Sequence, residues 1–142
     1  MIDIPLSVIG ATVSRGDILL SDFEDIDHKK FFVVIGISEE EEKICGFFFI
    51  NSNINEKVFR DKQELWDLQY PIYAKDYPFL NHQSFINAAN LQKRELSKIA
   101  DGIKSGSVFI KGRLKEEHIS DIIDAVRGSK VISKRDKELF FR

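Results

Sequence analysis

Two short polar segments carry the side chains best suited to chemistry. The first, EDIDHKK at residues 24–30, places His28, Lys29 and Lys30 beside three acids. An imidazole can move a proton near neutral pH, and ammonium groups can neutralise the charge of a phosphodiester. Apolar runs flank the segment on both sides, so we predict that it forms a loop between two strands. A solvated loop would be equally polar without any chemical role, and both interpretations stay open at this point.

The second polar segment, INSNIN at residues 50–55, follows a very apolar run. Asn51 and Ser52 fall where that strand is predicted to end, and there they could donate hydrogen bonds to a phosphate. Asn and Ser also bond readily to nearby backbone, which favours a plain turn. The sequence supports the two interpretations about equally.

Metal chemistry finds little support in the sequence. His28, His82 and His118 are far apart, and none has a His, Cys or close acid at ligand spacing. Cys45 lies in an apolar run, where a free cysteine usually behaves as a small hydrophobic residue. The chain has no glycine-rich phosphate loop and no G-x-S-x-G elbow. We therefore expect no metal and no cofactor.

Composition limits the class of protein. The chain has 142 residues, of which 43% are hydrophobic and 31% are charged, and this favours a single globular domain over residues 1–142. A net charge of −2 excludes a globally basic nucleic-acid binder but allows a local basic patch. One cysteine cannot form an intrachain disulfide. With no basic region ahead of an apolar N-terminal stretch and no apolar run of ~20 residues, we expect a cytoplasmic protein without a membrane segment.

Short apolar runs separated by polar breaks predict strands over most of the chain, and twelve phenylalanines strengthen that prediction. The charged segment SEEEEK at 38–43 has hairpin length. Pro71 cannot donate to a ladder, so its run is predicted to be an edge strand. The predicted strands cover residues 16–23, 30–37, 43–51, 68–74, 82–89 and 106–112.

Helical patterns come late in the chain. Ile119, Ile122, Ile123 and Val126 recur at i, i+3, i+4 and i+7, which predicts a C-terminal helix over 116–127 with these side chains buried. Shorter helices are predicted at 60–68, at 93–103 and after Ser133, which is placed as an N-cap. The fold class is therefore a β-rich α+β protein, with a small curled barrel or half-open sheet over about 15–111 and a helical segment over about 113–142.

The order of these motifs resembles that of the MazF/PemK toxins. RGDILLSDF, a polar loop and KKFFVVIG are similar to the family's Arg-Gly-Asp opening, its first strand and its Arg-Arg-Pro-Val-Val-Ile segment. Later, FFFINS, SFINAANL, GRL and the acid-opened helix EEHISDII follow in the same order. The resemblance spans about residues 15–127. It implies an SH3-like barrel with appended helices, usually a homodimer, which pairs with an antitoxin-like protein and cleaves single-stranded RNA without metal.

The resemblance also implies a site. Lys30 falls on the family's catalytic arginine and Ser52 near its strand-end hydroxyl, while Asn87 and Ala89 stand where the PemK branch has an arginine and an aspartate. The alternative is a barrel that has lost catalysis and serves as an RNA- or protein-binding module. The predicted site comprises His28, Lys30 and Ser52 as catalytic residues and Lys29, Asn51 and Asn87 as substrate-binding residues.

Overall fold

A computed structural model describes residues 13–54 and 56–142 of the chain. Seven strands fall within these residues: β1 (Asp17–Phe23), β2 (Ile26–Ile37), β3 (Ile44–Asn51), β4 (Gln69–Ile72), β5 (Ser84–Asn87), β6 (Gln92–Glu95) and β7 (Val108–Arg113). Five helices fall within the same residues: α1 (Glu56–Phe59), α2 (Gln63–Trp66), α3 (Leu96–Ser105), α4 (Glu116–Arg127) and α5 (Lys134–Phe140).

The strands form one antiparallel sheet in the order β4-β5-β3-β2-β1-β7. β6 pairs with the first half of β3 and β5 with its end, so the two short strands share one edge of β3. Among the described residues, the outer strands β4 and β7 do not pair with each other, and the sheet is open. The β-rich α+β class predicted from the sequence is confirmed, whereas closure into a barrel is not observed.

Both faces of the central strands are buried, and this explains the large number of phenylalanines. A hydrophobic cluster lies on each face. One contains side chains of α4 and α5, and the other contains Ile99 and Ala100 of α3. Because side chains alternate along a strand, adjacent residues belong to opposite clusters. Such adjacent pairs are Ile18 and Leu19 in β1, Val33 and Val34 in β2, and Phe48 and Phe47 in β3.

The predicted C-terminal helix is confirmed, because α4 spans Glu116–Arg127 and buries the predicted isoleucines and Val126. Ser133 caps α5 as predicted, with its hydroxyl accepting a hydrogen bond of 3.1 Å from the backbone of Asp136. Gly128 ends α4 without the left-handed conformation that glycine often supplies there, since its φ is −80°.

Helix α5 is held against the sheet at a pair of glycines. Gly36 and Gly46 face each other across β2 and β3, and Phe140 occupies the space that their missing side chains leave. The Arg15 guanidinium donates to the carbonyls of Ile35, Phe140 and Arg142 at 2.6, 2.9 and 2.8 Å. The segment before β1 is thereby tied to residues more than 120 positions later in the chain.

Two of the predictions for local structure are wrong. Residues 24–30 were predicted to form a loop, but Glu24 and Asp25 alone form the turn, and Phe23 already pairs with Ile26. His28 to Lys30 therefore belong to β2. The helix predicted at 93–103 begins only at Leu96, because the polar residues before it pair with the open edge of β3 as β6. The other predicted strands agree with β1, β3, β4, β5 and β7 to within two residues.

None of the helices in the described part of the chain has the length and apolar character needed to cross a membrane.

Candidate functional site

A cleft of about 580 Å³ opens where the ends of β2, β3 and β5 meet the segment that contains α1 and α2. It brings together five of the six residues predicted from the sequence to form the site. Its lining consists of His28, Lys30, Asn51, Ser52, Asn53, Phe59, Leu65, Gln69, Asn87, Ala89 and Asn90.

Strand alternation determines which side chains reach the cleft. Phe47, Phe49 and Asn51 are alternate residues of β3 and lie on the face that α3 covers. His28 and Lys30 take the same face of β2, four and two residues before the buried Phe32. Helix α3 covers only the apolar part of this face, so the polar ends of the two strands remain open to the cleft.

Lys30 supplies the ammonium group of the described cleft lining. Its ammonium donates to Asn51 Oδ1 and lies 5.4 Å from the centroid of the Phe49 ring. Among the described residues, no carboxylate lies within ion-pair distance of it. Partial burial removes water from this charge and lowers the pKa of Lys30 from its usual value. An incompletely solvated cation without a counter-ion attracts an anionic ligand.

The amide side chains are oriented by their own hydrogen bonds. Asn87 Oδ1 accepts from Gln69 Nε2 at 2.8 Å and from the backbone of Ala89 at 3.2 Å. Asn51 Oδ1 is likewise occupied by Lys30. Both asparagines therefore have their carbonyl oxygen engaged, and no described residue accepts from either amide nitrogen, which can donate to a ligand. Together with the remaining protons of the Lys30 ammonium, these groups make the cleft rich in donors.

His28 and Ser52 lie at the rim. His28 is 68% exposed and its Nδ1 lies 2.9 Å from Oδ1 of Asp27, which is almost fully exposed. The imidazole lowers the pKa of the Asp27 carboxyl, chiefly through this hydrogen bond. Ser52 follows β3 in the turn and is exposed. Both groups are positioned so that a ligand can reach them from solvent.

Lys29 does not line the cleft. As the neighbour of Lys30 on a strand, it points to the opposite face. There its ammonium contacts Asp22 at 3.0 Å and lies 5.7 Å from the ring centroid of Phe109. Lys29 was predicted to bind substrate together with the cleft residues. In the structure its side chain lies on the other face of the sheet, away from them.

Several cleft residues were missed by the sequence analysis. Gln69 is 8% exposed and donates to Leu65 O at 3.2 Å as well as to Asn87. Its inward position in β4, between apolar neighbours, is the signal that could have identified it. Asn53 belongs to the polar segment 50–55, which the sequence analysis identified. Asn90 follows β5 in a turn and carries no distinguishing signal in the sequence.

The cleft has no carboxylate in its described lining, although acids outnumber bases in the sequence as a whole. A cationic ligand would find no counter-ion there. Nor do three or more His, Cys, Asp or Glu side chains of the described residues come together in an arrangement that could hold a metal ion. The described lining offers neutral amides, one ammonium, one hydroxyl and one imidazole.

The chain matches no protein-family model, and no curated protein matches it. The resemblance to the MazF/PemK toxins therefore depends on the motifs of the sequence alone.

Proposed function

We propose that the cleft binds single-stranded RNA and that the protein is a divergent MazF/PemK-like toxin-type endoribonuclease that needs no metal. The observation that carries this proposal is a donor-rich cleft around Lys30 whose described lining holds no carboxylate, in a chain whose net charge is −2. Amide groups match the edges of unpaired bases, and a partly buried ammonium matches a phosphate.

In the proposed reaction, His28 takes the proton of a ribose 2′-hydroxyl, and O2′ attacks the adjacent phosphorus. The bond from phosphorus to O5′ breaks, and the same proton passes to O5′, which leaves a cyclic phosphate and a 5′-hydroxyl. Lys30 stabilises the negative charge that develops on the phosphoryl oxygens, and Ser52 positions the phosphate. No metal and no external reactant enters this step.

The family resemblance extends the proposal to fold and partners. We take the open sheet as a divergent form of the SH3-like barrel, because its strands follow the order of the family motifs. The same resemblance implies a homodimer and an antitoxin-like protein partner. A small open reading frame beside the gene, encoding an acidic chain, would support the antitoxin-like partner.

A second candidate function is RNA binding without cleavage. Asn87 and Ala89 occupy the positions at which the PemK branch has an arginine and an aspartate, so these two positions supply neither a cation nor an acid to the cleft. Amide donors alone can bind RNA but supply no general acid.

One experiment separates the two candidates. The protein is incubated with mixed-sequence single-stranded RNA in a chelator, and the products are resolved on a gel. Lys30→Ala is compared with Lys98→Ala, which removes an equal charge from an exposed position of α3. If the cleft is catalytic, Lys30→Ala lowers the rate by about 10²–10³-fold and Lys98→Ala leaves it unchanged.

The remaining outcomes are also informative. If the cleft binds RNA without cutting it, neither wild type nor Lys30→Ala cleaves RNA. Lys30→Ala then binds RNA more weakly, and the salt dependence of its binding falls by the amount expected for one phosphate contact. Equal cleavage by wild type and Lys30→Ala contradicts a role for Lys30. If the wild type neither cuts nor binds single-stranded RNA, the proposed function is wrong in both forms.

A further inference from the structure

We infer that two phenylalanine rings beside the cleft, Phe49 and Phe23, form a stacking platform for two further bases of the RNA, with Arg94 as the phosphate ligand at its far end. This inference rests on the proposed function, because it extends the same bound strand beyond the cleft.

The platform is a continuous row of contacts. Lys30, in the cleft, lies 5.4 Å from the centroid of the Phe49 ring. The Phe49 and Phe23 rings meet edge to face, with centroids 4.9 Å apart and planes at 86°. The guanidinium of Arg94 lies 4.9 Å from the centroid of the Phe23 ring. The row therefore has one cation at each end and two aromatic rings between them.

All four side chains of the row reach solvent in part. Phe23, Phe49, Lys30 and Arg94 are each partly exposed, although Phe32 and Phe47, on which the two rings pack, are buried. The buried rings beneath them give the platform a fixed position. This separates Phe23 and Phe49 from phenylalanines that serve only as core.

Arg94 has no carboxylate partner among the described residues, and its guanidinium rests on the Phe23 ring. It lies in β6 opposite Cys45, whose side chain faces the same cluster as Phe47. A guanidinium that rests on an aromatic face can exchange this contact for a phosphate, and the ring face it leaves can receive a base. The same exchange is available to Lys30 on Phe49.

The angle between the rings specifies the form of the nucleic acid. Two bases cannot cover rings at 86° to each other while they remain stacked on one another. The platform therefore suits a strand whose bases have separated, and it disfavours a duplex. Stacking of this type tolerates any base, so sequence selection falls to the amides of the cleft.

The test uses 2′-O-methyl RNA, which lacks the attacking hydroxyl and cannot be cut by the proposed reaction. Binding of labelled three- and nine-nucleotide strands is measured by fluorescence anisotropy. Phe23→Leu keeps an apolar side chain but removes the ring, and we expect it to weaken binding of the longer strand by about 5- to 100-fold. Arg94→Gln is expected to reduce the dependence of log affinity on log salt by about 0.7. Binding of the shorter strand should stay unchanged in both variants.

Lys111→Gln is the matched control, because Lys111 also lies over a phenylalanine ring, 5.8 Å from the centroid of Phe109, but outside the row. If all three variants bind the longer strand like wild type, or if a duplex of equal length binds as tightly, the platform is overturned and the cleft remains. Equal loss for both strand lengths in a folded variant, checked by its unfolding transition, also overturns it. If wild type binds neither strand, the proposed function itself fails.

Discussion

The backbone of Gly36 lies directly against that of Phe140. A Cβ atom at Gly36 would overlap the Phe140 carbonyl and stand 2.9 Å from its Cα. The carbonyl involved is the one to which Arg15 donates. Because the nearest atoms are backbone, the contact cannot be relieved by a side-chain rotation.

Gly36→Ala is therefore expected to lower the free energy of unfolding by about 1–3 kcal/mol, because α5 must move away from the sheet. Gly128→Ala is the control, since its φ is −80° and the nearest atom to an added Cβ is 3.5 Å away. That change should raise stability by about 0.4–1 kcal/mol. Urea unfolding of both variants measures the two effects, and a neutral Gly36→Ala would contradict the close contact.

Ile122 is 1% exposed and lies in the cluster between α4 and the sheet. Ile122→Ala should cost about 2–5 kcal/mol, because it loses buried area and leaves a cavity. Ser120→Ala, on the exposed side of the same helix, should change stability by less than about 0.5 kcal/mol. Equal effects of the two substitutions would show that α4 does not pack through Ile122.

Lys30 gives a stability effect that depends on pH in a defined direction. Burial lowers its pKa in the folded state below the ordinary 10.5, so the folded protein releases this proton before the unfolded chain does. The unfavourable contribution of the charged side chain is complete at neutral pH and declines as pH rises through the folded pKa toward 10.5. The unfolding free energy of wild type should therefore increase relative to that of Lys30→Met over this range. A difference that is flat or that falls with pH contradicts the prediction.

Cys45 should be unreactive while the protein is folded. Its thiol is buried in the α3 cluster, and desolvation raises the pKa of Cys45 to about 12. At pH 8 almost no thiolate is present to attack an alkylating reagent. Because Cys45 is the single cysteine, labelling in increasing urea should follow the global unfolding transition. Rapid labelling without denaturant would show that the cluster opens locally.

The homodimer remains a prediction, and β7 offers the surface on which to test it. This outer strand exposes Phe109 by 42% and Ile110 by 51%. If two copies associate here, Ile110→Lys should convert a dimer of about twice 16.4 kDa into a monomer in sedimentation. Ser107→Lys, exposed just before the strand, is the control. A monomeric wild type at micromolar concentration would exclude the dimer.

Local patterns allowed much of the fold to be predicted. The isoleucines of α4 repeat with the helical period, and short apolar runs between polar breaks marked the central strands. In contrast, β6 consists of polar residues, and only the unpaired edge of β3 makes them a strand. The tight turn at Glu24 and Asp25 was equally hidden, because the polar start of β2 carries no apolar alternation.

The site was predictable in part, for a related reason. His28, Lys30, Asn51 and Ser52 follow or precede apolar runs, so their place at strand ends can be read from the sequence. The contact between Phe23 and Arg94 joins residues 71 positions apart, and no local sequence pattern predicts it. Lys29 was grouped with Lys30 by adjacency, whereas a strand sends adjacent side chains to opposite faces.

Arg15 and the glycine pair Gly36 and Gly46 both contact residues near position 140, so this part of the fold is completed only when the last residues have been synthesised. The glycine pair in β2 and β3 leaves the ribosome long before Phe140, which fills it. At a translation rate of 5–20 residues per second, about 5–20 s pass between the synthesis of Gly46 and that of Phe140. Until then α5 does not cover this part of the sheet. During that interval the sheet presents an apolar surface that other molecules can reach. A nascent chain stalled before residue 140 should therefore bind a chaperone that recognises apolar segments, and a chain extended past α5 should be released.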